Sequence, residues 1–348
     1  MIVYIQQTNV PTHRTLHKAM AERGLEVRFF RLFFFPIRRG IVFIHFPDSC
    51  VGTHSLWKMM VKFSAFMFSI LLAKLGGSPI VWEVNNMKSH ERRFPLFESI
   101  LMAMFTRSLA GVIHNSTSSV REALVTYPVL KRVPWTMVPE SNFRHIFPER
   151  GDAAHGRRIL GVDDGETVLL TFGLIRRYKG ADKLIDIFKQ IEGADLRLVI
   201  AGMPVDSAYA DQLQRAALSD SRIRLIFRDI PDAEVPHIYA ATALHCAPFR
   251  AVLNSGSVLL ALSLDCPVIA SRLGTMSDLE EQVGADWIML YDGELDLPTM
   301  HKAIAWARLP RQLPPALGFC DFGKVVTDTL AFLTKICYAR SGVRSVEA

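Results

Sequence analysis

Val168–Phe172 is a short β-prone run, mostly apolar, that stops at Gly173, and from Ala181 apolar residues return at helical spacing as Leu184, Ile185 and Phe188. A strand that feeds so directly into an amphipathic helix is half of a βαβ unit. It restricts the chain to folds in which helices cover a mostly parallel sheet. The pattern recurs. Leu196–Ala201, Ile223–Phe227 and Leu244–Ala247 read as strands, with helices over Ala208–Leu218 and Ala233–Ala241. In the first half, the segment from Met1 reads as an opening strand and not as a signal peptide, and Ile41–Phe46, Pro79–Val84 and Ala110–His114 are further strands. At 348 residues the chain exceeds the usual size of one domain. The expected division is an N-terminal unit over 1–150 and a C-terminal unit over 151–322, with the Pro-rich, polar stretch Val133–Gly156 as linker. Apolar residues at helical spacing (Val326, Leu330, Leu333) predict a last helix over about 323–340.

Between strand and helix, the loop after Phe172 carries Gly173, Arg176, Arg177, Lys179 and Gly180. Glycine lets backbone approach a ligand closely, and the following helix offers free N–H groups to an anion. Two readings fit this loop, a diphosphate site or an ordinary surface turn with solvated charge. A second segment, Pro248–Ser271, weighs between them. Asn254 or Ser255 is a good N-cap, Gly256 admits close approach, and Val258–Leu264 is apolar enough to be buried. The hydroxyls of Ser255 and Ser257 and the free amides then make a second phosphate cradle, and two cradles on one sheet favour the ligand reading over a tight turn. Arg228, at the end of another strand, is a further donor-side candidate.

Residues 1–150 hold 19 Lys+Arg against 9 Asp+Glu, whereas the remainder holds 21 against 25. The basic half is also aromatic. Phe29–Gly40 mixes phenylalanine with Arg31, Arg38 and Arg39, and Leu56–Leu75 carries Lys58, Lys62, Phe66 and Lys74. The longest uncharged run there, Phe63–Ala73, is 11 residues, against about 20 for a bilayer-spanning helix. It suits either a core helix or one lying in a membrane interface with its lysines directed to lipid phosphates. No nucleic-acid motif accompanies the charge, so an anionic membrane surface is the expected partner. Five scattered cysteines suggest free thiols in a reducing compartment. The chain contains no G-x-G-x-x-G after a strand, no P-loop, no H-E-x-x-H and no Asp-x-Asp pair. No cofactor or metal is expected on that basis. In parallel sheets, ligands gather beyond the carboxyl ends of strands, which singles out Asp48, His90 and Glu91 as candidate acid–base groups, although each is also an ordinary loop residue.

FGLIRRYKG resembles the donor-diphosphate loop of GT-B glycosyltransferases, while NSGSVLLALSLDCPVIAS and VGADWIMLYDGELD are more similar to β-mannosyltransferases of xanthan-type exopolysaccharide assembly. IHFPDS and VNNMKSHE sit where that family has its His-Pro-carboxylate stretch and its Asn-x-x-x-His-Glu loop. The resemblance implies a GT-B fold, two Rossmann-like domains facing each other across a cleft, with the last helix crossing back to the first. It also implies a hexosyltransferase, most simply an inverting one, moving mannose from GDP-mannose to a polyprenyl-diphosphate-linked glycan at the cytoplasmic face of the bacterial inner membrane. Two departures stand out. Many such enzymes carry two glutamates with seven residues between them, where this chain has Val252 and Leu260, and Asn85 stands where a histidine is usual. A retaining transferase using a UDP-sugar, a nucleotide-sugar 2-epimerase and a non-catalytic membrane-docked subunit are the alternatives.

Overall fold

The computed structural model describes residues 1–8, 10–30, 39–51, 53, 55–87 and 94–341. They divide into two compact units, Met1–Ser141 with Cys320–Ala348, and Asn142–Phe319. The division falls inside the stretch expected as linker. Trp135–Met137 is a strand of the first unit, and the helix Ala153–Leu160 belongs to the second. Gly156 explains why that helix is not a free tether, since a Cβ added there would lie 1.9 Å from the carbonyl oxygen of His237.

The first unit contains β1 (Ile2–Gln6), β2 (Glu26–Phe30), β3 (Ile41–Ile44), β4 (Ile80–Glu83), β5 (Gly111–His114) and β6 (Trp135–Met137), parallel throughout in the order β2-β1-β3-β4-β5-β6. The second contains β7 (Thr167–Phe172), β8 (Leu196–Ala201), β9 (Ile223–Ile226), β10 (Leu244–Ala247), β11 (Val268–Ser271) and β12 (Ile288–Tyr291), also parallel, in the order β12-β11-β10-β7-β8-β9. Strands β3, β4, β5, β10 and β11 are buried at every residue, as expected where helices cover both faces. Each sheet reverses its winding once, between β1 and β3 in the first unit and between β7 and β10 in the second. Such reversals open a crevice beyond the carboxyl ends of the strands.

The last helix, Phe322–Ser341, shares the first unit's core. Val325, Val326, Leu333 and Ile336 pack with Val3, Ile5, Phe43 and Ile113. At Gly111 a Cβ would sit 3.0 Å from side-chain atoms of Phe332 and Ile336, so the small residue admits the helix closely onto β5.

The helix Leu56–Leu75 is apolar on two opposite faces. Met59, Phe66, Ile70 and Ala73 are buried, whereas Trp57, Val61, Phe68, Leu71 and Leu75 are exposed. Phe66, expected at the membrane or acceptor surface, is instead a core residue whose ring packs 6.0 Å from that of Phe105. The helical period explains it, because Phe66 falls on the stripe of Met59 and Ala73. Lys58 and Lys74 are exposed and Lys62 is half-buried. Exposed Arg39 donates to the carbonyl of Gly77 at 3.2 Å, and Arg38 lies outside the described residues. By length and composition the helix is also long enough to cross a membrane.

Candidate functional site

In the second unit, β7 ends at Phe172 and the chain turns at Gly173, with φ +93°. β8 ends beside it at Gly202, with φ +141°, where a Cβ would fall 2.1 Å from the carbonyl oxygen of Gly173. Only glycine allows this contact. The two loops are then stitched by Ile175 N donating to Met203 O at 2.9 Å and Val205 N to Ile175 O at 3.2 Å. A short 3-10 turn, Arg177–Lys179, leads to Gly180 (φ +73°), where a Cβ would meet the carbonyl oxygen of Pro248 at 2.1 Å. Pro248 follows β10, and Arg250 N donates to Tyr178 O at 2.7 Å. The basic loop is thus laid against the β10 loop, beside the winding reversal of the sheet.

The cations there fall into two groups. Arg177 is fixed by Asp206 at 3.1 Å and Gln212 at 3.0 Å and lies over the Tyr209 ring, and Arg250 is paired with Asp182 at 2.7 Å. Arg176 and Lys179 are different. Among the described residues no hydrogen bond or ion pair engages the Arg176 guanidinium, and the half-buried Lys179 Nζ donates to Phe172 O at 3.3 Å. Burial, reinforced by the charge of Arg176, lowers the Lys179 ammonium to about 8. Behind it on β10, burial and the Lys179 charge keep the His245 imidazole neutral, with its pKa lowered to about 3. An under-neutralised ammonium next to a second cation is suited to receive an anion.

The helix Gly256–Ser263 begins beyond β10. Ser255 caps it, its Oγ accepting from Val258 N at 3.4 Å and lying 3.1 Å from Ser257 Oγ. Val258–Ser263 are buried, while Asn254, Ser255, Gly256 and Ser257 remain partly open at the helix start. Gly274, with φ +58°, packs on this segment so closely that a Cβ would lie 2.4 Å from the carbonyl oxygens of Val252 and Leu253. Arg228 is not among the available cations. It follows edge strand β9 and is ion-paired with Glu234.

Because Lys179 is lowered to about 8, and an anion bound beside it would favour its charged form, such binding takes up a proton above that pH. Affinity for a diphosphate-type anion at this loop is therefore expected to fall as pH rises through 8, by up to about tenfold per unit. Lys179→Arg flattens that dependence, read by calorimetric titration between pH 7 and 9.5. The unliganded fold has the opposite sign. Its lysine pKa lies below the ordinary 10.5, so the unfolded chain holds the extra proton and stability rises from pH 8 towards 10.5.

In the first unit the winding reversal gathers groups that sequence reasoning passed over. His13 and His17 lie on the helix Pro11–Glu22 that follows β1, His45 follows β3, and Glu83 ends β4. His45 Nδ1 is 2.5 Å from Glu83 Oε2, and His17 Nε2 is 3.0 Å from His45 Nε2. Gln6 Oε1 accepts from the backbone amides of His45 and Phe46 and sets the turn. All four groups are buried, which lowers each imidazole to about 3 and raises the Glu83 carboxyl. Half-buried Glu140 is raised to about 7 by burial and by the Glu83 carboxylate. Asp48, half-buried in the turn Pro47–Cys50, stands just beyond β3, and His90 and Glu91 lie outside the described residues. The legible trace of the cluster was the spacing of His13 and His17, one helical turn apart.

Residues 166–299 match the family described as Glycosyl transferases group 1. A GDP-mannose:glycolipid 4-beta-D-mannosyltransferase of Xanthomonas campestris pv. campestris is 26% identical over 292 residues, covering 83% of this chain and 77% of that protein. Among solved structures, HepE of Anabaena in complex with UDP and glucose superposes with a TM-score of 0.67 at 14% identity, over 96% of this chain and 99% of HepE. The sucrose-phosphate synthase of Thermosynechococcus elongatus gives 0.69 at 15% identity, over 97% and 99%.

Proposed function

From the premise that this chain is a glycosyltransferase of the GT-B fold, a hexosyltransferase, we propose that it transfers mannose from GDP-mannose, with inversion, to a polyprenyl-diphosphate-linked oligosaccharide in exopolysaccharide assembly. The observation that carries the donor side is the pairing of unengaged Arg176 with Lys179 on the β7 loop, in the same unit as the open helix start at Ser255-Gly256-Ser257. The mannosyltransferase of Xanthomonas, acting by its name on GDP-mannose and a glycolipid, supports the choice of sugar and acceptor class.

As the bond from the anomeric carbon to the diphosphate oxygen breaks, negative charge gathers on the departing nucleotide. Lys179, Arg176 and the amides of the capped helix receive it, with no metal assigned to the diphosphate. The acceptor hydroxyl attacks from the opposite face and loses its proton to a base of the first unit. Asp48, His90 and Glu91 are the sequence candidates. Glu140 joins them as a carboxyl whose proton affinity lies near neutral pH. Val252 and Leu260 place no carboxylate where ribose and sugar are often held, so Asn254, Ser255 and Ser257 take that role. The exposed apolar stripe of Leu56–Leu75, with its flanking lysines, supports peripheral attachment to the cytoplasmic face of the inner membrane as part of this reading.

The decisive test supplies purified protein with GDP-mannose, or with UDP-sugars, and a lipid-linked oligosaccharide acceptor, and reads the product by NMR. A β-mannosyl product formed from GDP-mannose is expected. Turnover only with a UDP-sugar, or an α-linked product, overturns the donor or the stereochemical assignment.

A further inference from the structure

We propose that His13, His45 and Glu83 form a binding site for one divalent transition-metal ion of the zinc class. One nitrogen from each imidazole and one carboxylate oxygen lie within 4.8 Å of one another, and all three residues are buried. The residue that asks for a ligand is His13. It is 4% exposed, its Nδ1 has no hydrogen-bond partner among the described residues, and its Nε2 stands 3.8 Å from Glu83 Oε2, too far for a hydrogen bond. A buried imidazole nitrogen left without a partner, as His13 Nδ1 is among the described residues, costs about 1–3 kcal/mol unless something absent from the protein's own atoms completes it. A cation fits this place, because one His13 nitrogen can give it a lone pair and the Glu83 carboxylate lies 3.8 Å from His13 Nε2.

The surroundings have the form of a metal centre. His45 presents Nδ1 towards Glu83, and its other nitrogen lies 3.0 Å from His17 Nε2. Ligating histidines are commonly tied in this way by the ring nitrogen that does not bind. The His13 ring stacks on that of His45, with centroids 4.2 Å apart, so the two imidazoles come to the carboxylate together. Binding displaces the proton shared by His45 and Glu83, and that proton leaves to solvent. Two imidazoles and one carboxylate suit zinc, cobalt or nickel better than magnesium or calcium, and three protein ligands leave a place for water. The ion would tie the helix Pro11–Glu22 to the carboxyl ends of β3 and β4 at the winding reversal of the first sheet.

The test uses full-length, tag-free protein, grown with added zinc and passed through gel filtration before elemental analysis. About one ion per chain is expected, falling at least about tenfold in His13→Gln and in Glu83→Gln. Stripped wild-type protein given cobalt(II) should show the visible bands of nitrogen-coordinated cobalt, and zinc should raise its Tm but not that of either variant. If one variant fails to fold, the other and the wild-type cobalt spectrum decide. Wild-type protein that carries no ion and gives no cobalt spectrum overturns the proposal and leaves water as the occupant. An ion retained in both variants also overturns it, because it must then sit elsewhere.

Discussion

Lys179→Ala is expected to lower kcat by about 10²–10³-fold at saturating donor, equivalent to about 2.7–4 kcal/mol of transition-state stabilisation. The expectation rests on where Nζ is held. It lies under the loop that leaves β7, has one carbonyl partner at 3.3 Å and is depressed towards neutrality by burial and by Arg176. Its charge is poorly compensated until an anion arrives, so its interaction grows as the diphosphate departs. The same fact protects the fold. Burial disfavours this ammonium, so its deletion removes a destabilised charge, and Tm should stay level or rise. Arg177→Ala gives the contrast, because its guanidinium is spent on Asp206, Gln212 and the Tyr209 ring. A wild-type kcat for Lys179→Ala, measured with saturating GDP-mannose, would remove this lysine from the mechanism.

The triple variant Trp57→Ser, Phe68→Ser, Leu71→Ser should abolish flotation with anionic vesicles while leaving the fold intact. These side chains are 73%, 49% and 51% exposed and share the stripe opposite Met59 and Phe66. The neighbouring helix Pro95–Ser108 exposes Leu96, Ile100 and Met104, and the Phe63–Phe97 ring contact joins the two helices. At about 1.5–3 kcal/mol per buried side chain, losing three amounts to about three orders of magnitude or more in membrane partition. Exposed Lys58 and Lys74 add about 1 kcal/mol each near an anionic surface and make the remainder salt-sensitive. Unchanged flotation of the triple variant, or wild-type protein that stays with the soluble fraction at low salt, would exclude this face as the docking element.

Strands β8 and β10 are legible in the sequence to the residue, because buried parallel strands are short apolar runs with sharp ends, such as Leu196–Ala201 closing at Gly202. Strand β2 is not, since Glu26–Phe30 carries Glu26 and Arg28 and takes its identity from pairing with β1. The basic loop could be read because its chemistry is contiguous. What could not be read was which of its cations are engaged: Arg176 and Arg177 are adjacent, and only Asp206 and Gln212, about thirty residues on, separate their roles. The ion pair of Arg228 was hidden for the same reason, its partner Glu234 being one of many acids in reach. The histidine cluster was hidden more deeply. His13 comes from the helix after β1, His45 from the residue after β3 and Glu83 from the end of β4, and only the sheet order makes them neighbours.

The first unit is assembled from two segments far apart in sequence, the stretch up to Ser141 and the helix Phe322–Ser341. Its core lacks Val326, Leu333 and Ile336 until the final helix has been made, whereas Asn142–Phe319 is contiguous. During synthesis the second unit is therefore free to fold first, and the greasy first unit waits, incomplete, until Phe322–Ser341 has left the ribosome. Damage to that helix therefore strikes a unit translated long before it.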